Sequence, residues 1–472
     1  MFAASRWRGL HGRIRDFPIV YRCASTEDLR RHQRDHEGTH RPDTRVAASV
    51  LCRQLKTYWK FYWPLALTGL AMVLSMQFQT AALARYPQAI TELAVFALAF
   101  STYGLFNASM NFTAQLSNVY ARSVEGSRRC HKFVFSASIC VMLPLLVIAH
   151  TDAGSAAISN LYSIDDNLTA RVTEYLVYLA PLILLRAERF YLTGLLVQAR
   201  LTGWVTVSNA VYLVAVVCGL LIGFSSGFKP VYVLVGADAV AITIQVGFTL
   251  WIRRRYYRLP KPLEHENLSY RELASFFIPV STTGVMFALS RPVLFAFVSR
   301  TPEGIVAIAA MRVAFDFSSI FQQAANQFRH FFVTFGLDDL ERKRRFMIFV
   351  CAGLTGMMLL FAMTPLSNWV WQDLMQIPDE IRVLSVQLVL VMCLMPSVIL
   401  FRNYFHGRLM VERRTTGMAV GGVLRVAAIY LMAQGLFAIG LLNYLTASIV
   451  LILGFVVESL VVMRVAVQKG QT

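Results

Sequence analysis

Arginine residues lie inside several apolar segments of this sequence, where a charged side chain is costly unless it is paired or faces water. Six of them are candidates for binding an anionic substrate: Arg186, Arg189, Arg291, Arg312, Arg402 and Arg425. A guanidinium suits carboxylate and phosphate groups, because its planar fork donates paired hydrogen bonds and stays charged. The sequence therefore predicts a substrate-binding site lined by these arginines.

Two of these arginines belong to an internal repeat. Arg189 opens a pattern that returns 213 positions later, starting at Arg402. The matched residues are Arg189, Tyr191, Gly194, Leu196, Arg200 and Thr202 in the first copy, and Arg402, Tyr404, Gly407, Leu409, Arg413 and Thr415 in the second. Because a duplicated fold relates its copies by a symmetry axis, we expect Arg189 and Arg402 to face one central cavity from opposite sides.

Four carboxylates are candidates to balance these positive charges or to carry a coupling proton: Glu92, Glu188, Asp316 and Glu458. Arg312 and Asp316 are one helical turn apart and are suited to pair with each other. The alternative for every arginine is a structural role. Each would then tether two helices, through a carboxylate or through carbonyls freed at a proline kink.

The composition identifies the elements that carry these residues. Hydrophobic residues make up 56% of the 472 positions and charged residues only 15%, well below the roughly 25% charged of soluble domains. Mean hydropathy is +0.53. These values predict an all-α polytopic membrane protein with about twelve spans, at roughly 61–83, 93–117, 133–150, 172–197, 204–224, 231–252, 272–298, 303–332, 346–366, 381–405, 415–438 and 441–464.

Twelve spans around one basic linker predict two six-helix lobes. The expected organisation is a basic cytosolic arm (1–57), an N-lobe (58–252), a linker (253–271), a C-lobe (272–465) and a short tail (466–472). Six spans per lobe make the repeat parallel, with a pseudo-twofold axis along the membrane normal. Loops after even-numbered spans hold most of the basic residues, so the positive-inside rule predicts cytoplasmic termini and a location in the cell (inner or plasma) membrane.

Several function classes are disfavoured. The net charge of +18 follows topology, so nucleic acid is not an expected partner. Seven cysteines occur without a CxxC pair, and no HExxH, GxSxG or Walker A sequence is present, so we expect no metal, no other cofactor and no enzyme activity. The expected partners are a small anionic substrate and membrane lipid, and a two-lobed transporter can work as a monomer.

Short patterns resemble the progressive ankylosis (ANK) family of membrane transporters. They are Ser290-Arg291-Pro292, Phe297-Val298-Ser299-Arg300, Val423-Leu424-Arg425, Gly454-Phe455-Val456 with Glu458-Ser459, and Tyr62-Trp63-Pro64-Leu65 with Glu92. The resemblance covers roughly residues 58–122 and 272–465. Arg291, Arg300, Arg402, Arg425, Glu92 and Glu458 match charged positions of the family, whereas Arg186, Arg189 and Arg312 do not have clear counterparts. The long acidic tail of animal members is absent.

The resemblance implies a fold like the multidrug, oligosaccharidyl-lipid and polysaccharide (MOP) exporter superfamily, which includes the MATE transporters. It also implies export of organic or phosphate anions such as citrate, ATP or pyrophosphate, by alternating access to a central cavity. Four alternatives stay open: a flippase for anionic lipid-linked saccharides, a membrane-embedded enzyme acting on lipid phosphates, a non-transporting scaffold, and a cation or drug antiporter. The antiporter would favour a carboxylate deep in the first span, where the chain has Gln77 and Gln79.

Overall fold

The computed structural model describes residues 56–63, 66, 70–199, 201–258, 268–412 and 416–467. The predicted arm as far as residue 55, part of the linker and most of the tail lie outside these residues. The first half contains α1 (Leu70–Leu83), α2 (Ala89–Asn107), a 3-10 turn (Ala108–Phe112), α3 (Thr113–Tyr120), α4 (Val124–His150), α5 (Asp152–Tyr162), α6 (Asp166–Leu179), α7 (Leu182–Gln198), α8 (Thr202–Ser225) and α9 (Pro230–Tyr256).

The second half repeats this order. It contains α10 (Tyr270–Val298), α11 (Gly304–Asn326), α12 (Arg329–Phe335), α13 (Leu340–Met363), α14 (Leu366–Asn368), a π-helical segment (Trp369–Leu374), α15 (Asp379–Met392), α16 (Met395–Val411), α17 (Thr416–Ala438) and α18 (Tyr444–Val467). The chain thus forms two six-helix lobes related by a pseudo-twofold axis along the membrane normal, as predicted.

The repeat extends to the turns between helices. Gly227 follows α8 and Gly440 follows α17, 213 positions later, and both have a φ of 70°. This left-handed conformation favours glycine. Each glycine N–H donates to the carbonyl three residues back, of Phe224 and of Phe437 respectively. Equivalent helices therefore end by the same local mechanism in both lobes.

Within the described residues, ten helices are long and apolar enough to cross a membrane. The other two predicted spans correspond to α1 and α10. The apolar part of α10 (Gly284–Val298) is shorter, and α1 has 14 described residues. The chain is thus a multi-pass membrane protein.

Several predicted spans are broken helices. The second span divides into α2, the 3-10 turn and α3, and the eighth divides at Gln327 and Phe328 between α11 and α12. Pro181 separates α6 from α7 because it cannot continue the hydrogen-bond ladder. Segment α5, which was not predicted, starts where the Thr151 hydroxyl accepts from the Gly154 N–H.

The lobes meet mainly along α10 and α11 of the C-lobe. Helix α11 contacts α1 and α2 of the N-lobe, and α10 contacts α2, the 3-10 turn, α3, α4 and α5. Helix α11 is accordingly the most buried of these ten spans. In its apolar 18-residue stretch 72% of the residues are buried, whereas the corresponding fraction is only 17% in the peripheral α4. Within each lobe the broken helix that carries the repeated arginine, α7 or α16, packs against α9 or α18.

The helix ends define two faces. The arginine-rich face holds the junctions α3–α4, α7–α8, α9–α10, α12–α13 and α16–α17. The arginine-poor face holds α1–α2, α4–α5, α5–α6, α8–α9, α10–α11, the segment from the end of α13 to the start of α15, and α17–α18. The breaks inside single spans belong to neither face. Arg253, Arg254 and Arg255 end α9 on the first face, whereas Arg85 and Arg300 lie in matching loops on the second.

Candidate functional site

In the N-lobe, α7, α8 and α9 bring a carboxylate between two donors. Arg186 donates from Nη2 to Asp238 Oδ2 at 2.6 Å, and the Tyr212 hydroxyl donates to Asp238 Oδ1 at 2.7 Å. The Arg186 guanidinium also lies 5.5 Å from the ring centroid of Tyr103 on α2. Asp238 is 2% exposed, and these donors offset the cost of burying its polar oxygens.

Arg189 lies three residues after Arg186 on the same helix and joins this N-lobe cluster. It is 4% exposed, and its guanidinium carbon lies 4.5 Å from the Phe190 ring centroid and 6.0 Å from that of Tyr212. Aromatic faces attract a guanidinium through their quadrupole. The cluster therefore holds two guanidiniums and one carboxylate in the membrane interior.

In the C-lobe, one carboxylate serves two arginines. Glu458 Oε2 on α18 accepts from Arg425 Nη1 of α17 at 2.5 Å and from Arg402 Nη1 of α16 at 3.3 Å. Its other oxygen lies 3.8 Å from His406 Nε2. All these side chains are less than one tenth exposed. The C-lobe cluster is therefore a buried ion-pair network, the Glu458 knot, that joins α16, α17 and α18.

Neighbouring helices extend this C-lobe cluster. Arg402 Nη2 donates to Asn326 Oδ1 at the end of α11 at 3.0 Å, and Arg425 Nη2 donates to the Met286 carbonyl of α10 at 3.3 Å. Phe287 and Phe455 flank both guanidiniums, with centroid distances from 4.7 to 5.8 Å. Because α10 and α11 also contact the N-lobe, this cluster adjoins the interface between the lobes.

A third cluster lies between the lobes. Arg312 Nε and Asp316 Oδ2, one turn apart on α11, form an ion pair at 2.7 Å. Thr80 of α1 donates to the same oxygen at 3.1 Å. The Arg312 guanidinium lies 4.6 and 5.2 Å from the ring centroids of Phe96 and Phe100 on α2. A C-lobe ion pair is therefore enclosed by N-lobe side chains.

Arg291 joins this interlobe cluster from α10. Its Nη2 donates to Ser319 Oγ at 3.2 Å, and its guanidinium lies 5.6 Å from the Phe315 ring centroid. It interacts electrostatically with both Asp316 and Arg312. The interlobe cluster thus also contains two guanidiniums and one carboxylate.

The two other predicted carboxylates lie outside these clusters. Glu92, in the first turn of α2, pairs with Arg171 of α6. Glu188 of α7 lies 2.7 Å from His131 Nε2 of α4. Neither contacts any of the six predicted arginines among the described ion pairs.

Asp238 and Tyr212 were not among the predicted site residues. Asp238 could be recognised in the sequence as an acidic residue inside a span. Its pairing with Arg186 could not, because the two residues are 52 positions apart on different helices. Tyr212 could have been found through the repeat, because it lies 213 positions before Arg425.

The six predicted arginines thus form three clusters, each with two guanidiniums and one carboxylate. Excess positive charge in a medium of low dielectric constant attracts an anion strongly. Guanidinium nitrogens without a hydrogen-bond partner occur in the described part of every cluster, including Arg186 Nε, Arg312 Nη2 and Arg425 Nε. Such groups can still donate to a carboxylate or phosphate oxygen.

Three solved structures share the fold at low sequence identity. The lipid II flippase MurJ in an inward closed conformation aligns with a TM-score of 0.64 and 12% identity, covering 84% of this chain and 86% of that one. An inward-facing multidrug resistance MATE family transporter of the MOP superfamily aligns at 0.63 and 10%, covering 85% and 94%. The eukaryotic MATE transporter AtDTX14 aligns at 0.62 and 13%, covering 88% and 96%.

The sequence supplies the family. The family model of the progressive ankylosis protein (ANKH) matches residues 49–314, which is more than half of the chain. That range includes the whole N-lobe, helix α10 and the first 11 of the 23 residues of α11. It contains Arg291 and Arg312 of the interlobe cluster, whereas Asp316 lies just beyond it. With the fold of the MOP superfamily, this match establishes that the chain is a membrane transporter and belongs to the progressive ankylosis protein family.

Proposed function

We propose that this transporter exports organic or phosphate anions such as citrate, ATP or pyrophosphate, by alternating access to a cavity between its lobes. The observation that carries the proposal is the composition of the three clusters, each with one more guanidinium than carboxylate. A cationic drug would be repelled by such a site, whereas an anion with several charges gains from each cluster. A small anionic substrate and lipid are the proposed partners, and one chain is the proposed working unit.

The proposed substrate contacts come from Arg189, Arg291, Arg402 and Arg425, with Arg186 and Arg312 in support. Asp316 and Glu458 bind guanidinium groups that could instead bind a carboxylate or phosphate of the substrate. Substrate binding would then exchange one carboxylate for another, which limits the cost of moving buried charges. Glu92 and Glu188, which pair with Arg171 and His131, are proposed to balance charge at a distance or to carry a coupling proton.

The test is uptake of labelled citrate, ATP and pyrophosphate into liposomes that contain the purified protein. We expect transport of at least one of them, reduced in both Arg189→Ala and Arg402→Ala. Arg382→Ala is the matched control, because Arg382 lies on the arginine-poor face and bonds to Asp379 and Asn368. Equal transport by all variants would show that Arg189 and Arg402 do not bind the substrate and only tether helices.

A flippase for anionic lipid-linked saccharides is the second candidate. It is favoured by the structural similarity to the lipid II flippase MurJ, and a lipid pyrophosphate could use the same guanidiniums. The same liposomes, loaded with a fluorescent polyprenyl pyrophosphate, distinguish the two substrates. Translocation of the lipid without transport of any soluble anion would select the flippase.

We also propose cytoplasmic termini and a cell-membrane location. The support is the concentration of basic residues on the arginine-rich face, which the positive-inside rule assigns to the cytoplasm. Single cysteines placed at Gln198 and at Gln372, in a background without the native cysteines, should label from opposite sides of intact cells. Labelling of Gln198→Cys from outside would reverse the proposed orientation.

A further inference from the structure

Two arginines on the arginine-poor face bind across the interface between the lobes, and they are equivalent in the repeat. Arg85, in the α1–α2 loop of the N-lobe, donates from Nη2 to the Leu374 carbonyl of the C-lobe at 2.7 Å. Arg300, in the α10–α11 loop of the C-lobe, donates from Nη2 to the N-lobe carbonyls of Asn160 and Leu161 at 3.2 and 3.4 Å. Arg85 and Arg300 are 215 positions apart, and Leu161 and Leu374 are 213 apart.

The acceptors are prepared by the same local structure in both lobes. Ser163 follows directly after α5, and Gln376 lies two residues after the π-helical segment. These two residues have left-handed φ values of 48° and 57° respectively. The last four carbonyls of any helix have no partner within the helix. The negative end of the backbone dipole also favours a cation there. Arg300 Nε additionally donates to Ser163 Oγ at 3.0 Å.

Other arginines on this face bond differently. Arg171 pairs with Glu92, and both belong to the N-lobe. Arg382 donates to Asp379 and to Asn368, and all three belong to the C-lobe. These arginines hold one lobe together, whereas Arg85 and Arg300 each hold one lobe to the other.

We propose that Arg85 and Arg300 are the two halves of a gate that keeps the arginine-poor face closed and releases when that face opens during transport. Both arginines are exposed, so water competes for their hydrogen bonds and the contacts can break repeatedly. The acceptors are neutral carbonyls, so release leaves no carboxylate without a partner. Because the two contacts are related by the pseudo-twofold axis, rocking of one lobe against the other breaks both together.

The proposal is tested by measuring the distance across the gate. Spin labels are placed at Ala157 on α5 and at Glu380 on α15, both exposed, in the full chain with its native cysteines replaced. Double electron–electron resonance in liposomes then reports the distribution of interlobe distances. We expect Arg85→Gln and Arg300→Gln each to raise the fraction of the longer distance, by up to about tenfold for loss of a charged hydrogen bond, and the double variant to raise it further.

Arg382→Gln is the matched control and should keep the wild-type distribution. The lysine variants distinguish the contribution of Arg85 from that of Arg300. Arg85→Lys should restore closure, since one ammonium can replace the single contact to Leu374, whereas Arg300→Lys should restore it only in part, because Arg300 makes three contacts. Wild-type distances in a folded Arg85→Gln/Arg300→Gln variant would overturn the proposal.

Milder changes keep the proposal testable if the glutamine variants unfold. Ser163→Gly removes one acceptor of Arg300 and suits the left-handed backbone, and it should raise the open fraction less than Arg300→Gln does. A flexible cross-link between cysteines at positions 163 and 300, which replaces both of these residues, should hold the distance at its shorter value even when it is combined with Arg85→Gln. An unchanged open fraction in Ser163→Gly, or opening despite the cross-link, would contradict the gate.

Discussion

Gln245 on α9 and Glu458 on α18 occupy equivalent positions, 213 residues apart, but only Glu458 carries a charge. Glu458 accepts from two arginines, whereas the Gln245 amide donates to Asn209 Oδ1 at 3.0 Å. The N-lobe carboxylate, Asp238, lies about two turns earlier on α9. Each of these two duplicated helices thus carries one carboxylate, at a different height along the helix and with different partners.

Glu458→Gln should destabilise the protein strongly. The variant leaves Arg402 and Arg425 buried without their shared carboxylate, and removal of one partner of a buried pair costs about 3–5 kcal/mol. We expect a lower midpoint of thermal unfolding in detergent. Asp373→Asn is the control, because Asp373 is exposed at the end of the π-helical segment and should unfold like wild type. Equal midpoints for both variants would show that the knot is not what stabilises the C-lobe.

Tyr212→Phe should weaken the N-lobe cluster. The change removes one of the two donors to Asp238 and keeps the ring that faces Arg189. Interhelical hydrogen bonds in membranes are worth about 0.6–1.7 kcal/mol, so we expect a modest fall in the unfolding midpoint. The same change at exposed Tyr270 should have no effect, and a fall of equal size there would argue against this role of the hydroxyl.

Thr80→Val should act on the contact between the lobes. Valine has the shape of threonine but cannot donate to Asp316, so the buried carboxylate loses a donor at a cost of about 1–3 kcal/mol. We expect a lower unfolding midpoint and slower transport of whichever anion the wild type moves. Thr282→Val is the control, since the Thr282 hydroxyl is exposed and bonds to the Ile278 carbonyl of its own helix. No difference between the two variants would remove Thr80 from the interlobe cluster.

Gly194→Ala should be destabilising for steric reasons. An added Cβ at Gly194 would lie 1.9 Å from Ser117 Oγ and 2.2 Å from the Ala114 carbonyl oxygen, so α7 and α3 would have to separate. Overpacking of this kind costs about 1–3 kcal/mol. At Gly247 of α9 the added Cβ meets nothing within 4 Å, so Gly247→Ala serves as the control. An unfolding midpoint for Gly194→Ala as high as that of the control would contradict the close approach of α3 and α7.

The fold could be predicted from the sequence more completely than the contacts between side chains could. Apolar length and the 213–215 residue offset were sufficient for twelve spans in two lobes, because both signals extend over many residues. Segment α5 escaped prediction because it has only 11 residues, too few to stand out as a span. The bonds of Arg85 and Arg300 escaped for a different reason: their acceptors are main-chain carbonyls, which every residue type supplies and no sequence pattern marks.

The Glu458 knot has a consequence for synthesis of the protein. Arg402 lies 56 positions before Glu458, so α16 and α17 leave the ribosome before the carboxylate that neutralises them exists. An unpaired arginine at the centre of an inserting helix costs about 2.5–3.5 kcal/mol. Stable insertion of α16 and α17 in the bilayer therefore depends on α18, the last helix of the chain. A late stop codon that removes α18 would therefore also deprive α16 and α17 of their stable position.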